Sequence, residues 1–336
     1  MKARCVKKTA LAALCILAVS GMVFAGGGKE DAAKPADSGQ FKIALLLPGP
    51  INDGGWNTMA YTALMEAKEV FNADVAYTEN VKQNDQVQLL RQYAMRGYNV
   101  MIGHGFEFGD ALTQVGADFP DKFFLNFGGE AKNGKNVGSI QYAYGQNGAL
   151  LGVLVGMNKN IKKMGIIAGF EQPTTQQEFY NVERYAKKYN PSIQAVYSYT
   201  GDWDDIAKGK EAAVALLNNG CDLIINDLSG PAGAVAQAVK ENNALYIQTT
   251  FDGYELCPDN IIVSAVQDAT RATLAGLQLV KDGKFEGQVY KFGLAEGAVY
   301  LGRYGSIATA EMKAEVEKVK QEIIDGKGDL LILIKD

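Results

Sequence analysis

Lys42-Ile43-Ala44-Leu45-Leu46-Leu47-Pro48-Gly49-Pro50-Ile51-Asn52-Asp53-Gly54-Gly55-Trp56-Asn57 is the stretch that decides the fold. Lys42 to Leu47 is an apolar run of buried-strand length, and Pro48-Gly49-Pro50 closes it. Beyond it, Met59, Ala63, Val70 and Phe71 fall near helical spacing, which predicts a helix over 57–71. Strand, turn and amphipathic helix together open an α/β sheet. The turn itself carries an amide, a carboxylate and an indole. Small molecules bind such sheets beyond the carboxyl ends of the strands. Trp56 can stack on a flat ring, while Asn52, Asp53 and Asn57 can read donors and acceptors around its rim.

The same alternation continues to the end of the chain. Short apolar runs predict strands at 42–47, 74–79, 99–104, 122–127, 137–142, 163–169, 193–199, 222–227, 245–250, 260–266, 288–294 and 329–335. Longer amphipathic patterns predict helices at 57–71, 83–97, 108–118, 146–159, 174–189, 204–219, 231–243, 269–282 and 309–326. Strands alternating with helices imply parallel sheets covered on both faces. The length exceeds what one core usually holds, so two doubly wound lobes joined by a hinge are expected. Their expected extents are 41–143 with about 268–298, and 144–267 with about 299–336. The mixed charges of 309–326 mark a solvated helix closing the fold.

The start of the chain reads as an export signal. Lys2, Arg4, Lys7 and Lys8 form a basic head, Ala10 to Phe24 is mostly apolar, and Val23-Phe24-Ala25 ends in a small residue. Residues 26–40 are small, polar and charged, the composition of a linker. A lipid anchor needs a cysteine at the cleavage point. Cys15 lies inside the apolar run behind the bulky Leu14, so soluble export is favoured over a lipid anchor. The expected location is the periplasm or cell surface, with membrane association as the alternative. Losing residues 1–25 leaves 29 basic against 38 acidic residues. That acidity excludes a general nucleic-acid binder, which needs a basic patch. Cys221 and Cys257 alone make no disulfide framework, and Cys221 reads as a buried free thiol.

Much chemistry is missing. His104 is the only histidine, which removes most triad schemes. It follows Val100-Met101-Ile102 at another strand end, where it can line a cleft or sit in a loop without a catalytic partner. No serine occupies a Gly-x-Ser-x-Gly elbow. One histidine and two dispersed cysteines disfavour zinc, so neither a metal nor a cofactor is expected. Asp202, Asp204 and Asp205 read as caps for the helix that follows. Gly103-x-Gly105 starts a dinucleotide fingerprint that Phe108 breaks. Gly129 to Lys135 starts a phosphate loop that Asn136 breaks, ahead of a strand where a helix is required. What remains is polar-plus-aromatic turns in both lobes: Asn52, Asp53, Trp56, Asn57, His104, Phe106 and Phe108 in the first, Phe170, Phe179, Asp227, Ser229, Phe251 and Asp252 in the second. Two such lobes facing each other describe a cleft that closes on a ligand by hinge motion.

At this point the sequence resembles the basic membrane protein family of solute-binding proteins, the extracytoplasmic receptors of ABC importers, over about 41–301. The resemblance rests on Asp53-x-x-Trp56-Asn57, Gly103-x-Gly105-Phe106, Phe119-Pro120-Asp121-x-x-Phe124 and Gly148-Ala149-Leu150-Leu151-Gly152. It continues in Gly201-Asp202-Trp203-Asp204, Gly230-x-x-Gly233-Ala234 and Gly293-x-x-x-x-x-Val299-x-Leu301. It implies a type I periplasmic-binding fold and a purine nucleoside as ligand. Trp56 and Phe179 would then sandwich a base, Asn57 and Asp53 would bind its edges or the sugar, and Asp252 would accept from ribose hydroxyls. Gly230 would let the backbone approach the ligand. The implied partners are a nucleoside-like small molecule and an ABC permease with its ATPase, the receptor itself being a monomer and not an enzyme. Trp56 stands where Phe is usual, Gln267 where many relatives have Lys, and Glu296 where Asp is usual. A receptor for a nucleobase, a sugar or another small signal molecule, an exported nucleoside hydrolase and a two-lobed transcription regulator are the competing readings.

Overall fold

The computed structural model describes residues 39–53 and 55–330. The expected signal segment, nearly all of the linker and most of the last expected strand lie outside the described residues. The first sheet is built from β1 (Lys42–Leu46), β2 (Asp74–Thr78), β3 (Val100–His104), β4 (Phe123–Phe127), β5 (Val137–Tyr142) and, much later in the chain, β11 (Val289–Phe292). The second holds β6 (Lys163–Ala168), β7 (Gln194–Tyr199), β8 (Leu223–Asn226), β9 (Leu245–Thr250), β10 (Ile261–Gln267) and β12 (Val299–Leu301). Their orders are β11-β5-β4-β3-β1-β2 and β12-β10-β9-β8-β6-β7. Every pairing is parallel except β10 with β12.

The helices are α1 (Trp56–Phe71), α2 (Gln86–Met95), α3 (Gly109–Asp118), α4 (Tyr144–Met157), α5 (Pro173–Tyr189), α6 (Ile206–Asn218), α7 (Ala232–Glu241), α8 (Ala269–Lys281) and α9 (Ala310–Ile324). The fold is the expected two-lobed α/β arrangement. Eleven of the twelve expected strands have an observed counterpart. The twelfth expectation, 329–335, has no strand at its described residues 329 and 330. Instead β12 forms at Val299–Leu301, three residues that follow a Gly297 turn at φ +67°. A strand this short carries too little pattern for its periodicity to be read.

The chain crosses between the sheets three times, and the crossings are bonded together. Ala143 N–H donates to Phe292 O at 2.9 Å, and Asp268 N–H donates to Ala298 O at 2.8 Å. Leu294 N–H donates to Gln146 Oε1 at 2.8 Å. At the first crossing lies α4, whose residues from Gly145 through Gly156 are buried apart from Gln146. It packs on α5 with Gly148, Gly152 and Gly156, spaced four apart, set against the backbones of Glu178, Val182 and Ala186. Four-residue spacing puts these glycines on one face, where only the missing Cβ lets the backbones meet.

Candidate functional site

Asp53 turns inward on its own helix. Its carboxylate accepts the N–H groups of Gly55, Asn57 and Thr58, each at 2.9 Å, together with Asn57 Nδ2 at 2.7 Å and the Thr58 hydroxyl at 2.8 Å. It therefore satisfies the orphan donors that open α1. Asn57 is buried and accepts from Gly49 N–H at 3.3 Å, tying the Pro-Gly-Pro turn to the helix. Both residues were expected to read the ligand's rim, but their polar atoms are largely committed to shaping the turn. Asn52 is exposed beside them.

Burial alone raises the Asp53 carboxyl, but the bonds from Gly55, Asn57 and Thr58 outweigh it and bring the group down to about 2. A carboxyl depressed on folding stabilises the protein above its ordinary value near 3.8, and that contribution fades as pH falls toward 2. Asp53→Ala should cost about 1 kcal/mol at neutral pH, the scale of a lost cap. The deficit should shrink steadily below about pH 4. Urea unfolding of both proteins at pH 7 and pH 3 measures it. A deficit that does not change with pH would contradict the carboxylate's role.

Trp56, the first residue of α1, is half-buried and lies against three supports. The His104 ring is 4.0 Å away at an interplanar angle of 30°. Phe127, at the end of β4, meets the indole edge-on at 5.8 Å. A Cβ built on Gly128, whose φ is +78°, would stand 3.4 Å from the indole's outer ring. His104 is only 1% exposed and its Nε2 lies 3.0 Å from Trp56 O, so it holds the indole from beneath and does not line an open cleft. Burial lowers its pKa to about 3, against the raising effects of that bond and of Asp53, so the ring is neutral and its Nε2–H donates to the carbonyl. Phe106, by contrast, is 75% exposed on the single turn after β3.

In the second lobe the structure corrects the expected partner of Trp56. Phe179 is fully buried in the core with α4 and α5, and no ring contact joins it to Trp56. It is a packing residue because α5 turns that face inward. Trp203 is an aromatic that the strand ends do present, and its indole lies on Gly169 just after β6. A Cβ there would come within 2.4 Å of the ring, and Phe170 is 6.0 Å away. The chain has two tryptophans, and each rests on a glycine beyond a strand end. The Gly201-Asp202-Trp203-Asp204 run was visible in the sequence, but only the packing shows the parallel with Trp56.

The other expected residues divide. A Cβ on Gly230 would lie 3.2 Å from the backbone of Asp204, so the close approach there is to the neighbouring β7–α6 loop. Asp252 is exposed and caps a turn. One oxygen accepts from Tyr254 N–H at 3.1 Å and the other from Arg303 N–H at 3.4 Å. Asp205 caps α6 through Lys208 N–H at 3.1 Å, as expected. Asp227 is buried directly after β8 and accepts the Thr249 hydroxyl at 2.5 Å. Thr250 beside it has φ +78°, a conformation that β-branched residues rarely adopt.

The two sets of turns face each other electrostatically. Burial raises the Asp204 carboxyl, and the charges of Asp202 and of Asp53, from the other lobe, raise it further. Among the described residues no group of three or more His, Cys, Asp or Glu side chains could hold a metal. Cys221 and Cys257 are both free and buried. No helix among the described residues is long and apolar enough to cross a membrane.

Comparison with known proteins follows the same outline. The transcriptional activator protein med of Bacillus subtilis (strain 168) is 28% identical over 279 residues, 83% of this chain and 87% of that protein. The ABC transporter nucleoside-binding protein BmpA of Lactococcus lactis subsp. cremoris (strain MG1363) is 26% identical over 350 residues, 96% of this chain and 98% of that protein. A solute-binding protein of an ABC transporter system from Conexibacter woesei DSM 14684 superposes with a TM-score of 0.69 at 23% identity, covering 88% of this chain and 100% of that one, which speaks to the fold. The family model for PnrA-like ABC transporter substrate-binding proteins matches residues 40–330, through both sheets and the turns between them, and the chain belongs to that family.

Proposed function

We propose that this protein is a non-enzymatic receptor that takes a nucleoside-like ligand, foremost a purine nucleoside, between its lobes and delivers it to an ABC permease and its ATPase. The lobes are taken as 41–143 with about 268–298, and 144–267 with about 299–336. This division is supported by β11 pairing with β5 and β12 with β10. The observation that carries the reading is the pair of tryptophans, one at the strand ends of each lobe and each backed by a glycine. A flat heterocycle gains stacking area on such surfaces. Asp252 keeps acceptor capacity for ribose hydroxyls, since a carboxylate offers about four lone-pair sites. The nucleoside-binding relative supports the ligand class. The reading of residues 1–25 as an export signal supports a place outside the cytoplasm.

His104 argues against a hydrolase. It is buried, neutral and bonded to a backbone carbonyl, which leaves a poor general base at neutral pH. A thermal-shift panel of nucleosides, nucleobases, sugars and flavins tests the reading. At 100-fold excess over Kd a ligand stabilises the native state by about 2.7 kcal/mol. Stabilisation by adenosine, inosine or guanosine is the expected result. Stabilisation by glucose or another sugar alone would reject the nucleoside reading. Release of free base from adenosine would reject the non-enzymatic one.

A further inference from the structure

The end of β9 carries a strained residue that is open to solvent. Phe251 N–H donates to Thr249 O at 3.1 Å, a bond between residues two apart, and Thr250 between them has φ +78°. Those are the marks of a rare, strained γ-turn. Among the described residues the other non-glycine residues with positive φ are asparagines, which tolerate it, whereas Thr250 is β-branched. Such a residue persists only where its surroundings over-determine it. Both sides of this turn are held. Before it, Gln248 and Thr249 are fully buried. Asn226 Nδ2 donates to Gln248 Oε1 at 3.0 Å, Gln248 Nε2 to Thr249 O at 2.6 Å, and the Thr249 hydroxyl to Asp227 at 2.5 Å. After it, Gly253 N–H donates to Ser264 Oγ at 3.0 Å, and Asp252 accepts from the N–H groups of Tyr254 and Arg303. Thr250 itself is half-buried, and its hydroxyl lies 3.4 Å from that of the exposed Ser229.

The two hydroxyls stand beyond the carboxyl ends of parallel strands, where small molecules bind such sheets. Thr250 ends β9 and Ser229 follows β8. Beside β8 in the sheet comes β6, and the Trp203 indole lies on Gly169 just after it. Neighbouring strands are about 4.8 Å apart, so β9 is two spacings, about 10 Å, from β6. We propose that the strained turn aims the Thr250 hydroxyl, with Ser229 beside it, at the ligand, and that this pair binds a hydroxyl or amide at the end of the ligand away from the ring stacked on Trp203. Each hydroxyl both donates and accepts, which suits a neutral polar group. The inference rests on the receptor reading above and assigns it a polar contact in the second lobe. It also gives the strain a use, because relaxing the turn re-aims the hydroxyl.

Three variants test this, each titrated calorimetrically with adenosine, adenine and glucose and melted without ligand. Thr250→Val keeps the branch and the strain but loses the hydroxyl. It should melt with wild type and bind adenosine about 5- to 30-fold more weakly, the scale of a hydrogen bond lost and its partner left unpaired. Thr250→Gly relieves the strain as well, so it should lose the same affinity while melting about 2–4 °C higher. Thr250→Ser keeps the hydroxyl and should stay within about threefold of wild type. Adenine, which lacks the far end, should change by less than about threefold throughout. Unchanged adenosine binding in Thr250→Val overturns the proposal. So does an affinity loss that only follows a loss of stability, an equal loss for adenine, or a Thr250→Gly that melts no higher than wild type. Binding by glucose but not adenosine would reject the nucleoside reading, and the glucose titration of Thr250→Val then judges the hydroxyl pair. A loss of about fivefold or more upholds the pair and no loss overturns it, so the two failures are distinguishable. A wild type that binds none of the three rejects both.

Discussion

Trp56→Ala is expected to weaken adenosine binding by about 1–3 kcal/mol, roughly 5- to 150-fold, which is what one base–aromatic stack contributes. The geometry explains why the loss should be large. The indole is held by His104 at 4.0 Å and by Phe127 at 5.8 Å, so little ordering remains to be paid on binding. Trp56→Phe should keep most of the affinity, since a smaller ring still stacks. His104→Ala should sit between them, because it removes the support and not the surface. Binding should also change tryptophan fluorescence, with Trp203 the only other emitter. Calorimetry on the three variants, beside their melting curves, decides the matter. Equal losses from Trp56→Ala and Trp56→Phe, following losses in stability, would mean that the indole packs its lobe and does not touch ligand.

Gly148→Ala should destabilise the protein by about 2–3 kcal/mol, the range of an overpacked core. Local propensity argues the opposite, since alanine is favoured over glycine in a helix by about 1 kcal/mol. The collision decides the sign. The new Cβ would lie 2.0 Å from the Glu178 carbonyl oxygen and 2.9 Å from its carbon, and backbone cannot rotate away as a side chain can. Gly152→Ala meets the Val182 carbonyl at 2.5 Å and should behave alike. Gly233→Ala in α7 is the control. Nothing lies within 4 Å of its Cβ, so it should stabilise by about 0.5–1 kcal/mol. Urea midpoints of the three proteins test the contrast. A neutral Gly148→Ala would show that α4 and α5 can separate without cost.

The elements themselves were legible because each long segment carries its own period. The apolar run 42–47 and the spacing of Met59, Ala63 and Phe71 specify strand and helix without reference to the rest of the chain. The capping role of Asp205 was legible for the same reason, since a cap is a contact between near neighbours. So was the family, because its short motifs occur in order along 41–301. The sequence by itself determined the strand-and-helix order apart from β12, the two-lobed α/β class and the strand-end turns at which a ligand is proposed to bind. It did not determine which side chains at those turns are free to touch one. Asp53 and Asn57 are absorbed by their own helix start, His104 lies beneath Trp56, and Phe179 is buried in the core while Trp203 lies on Gly169 at the strand ends. Periodicity is a local property of the chain. Burial, and the polar atoms that burial leaves without partners, depend on what the rest of the chain brings near, and that exists only once the sheets and helices have packed.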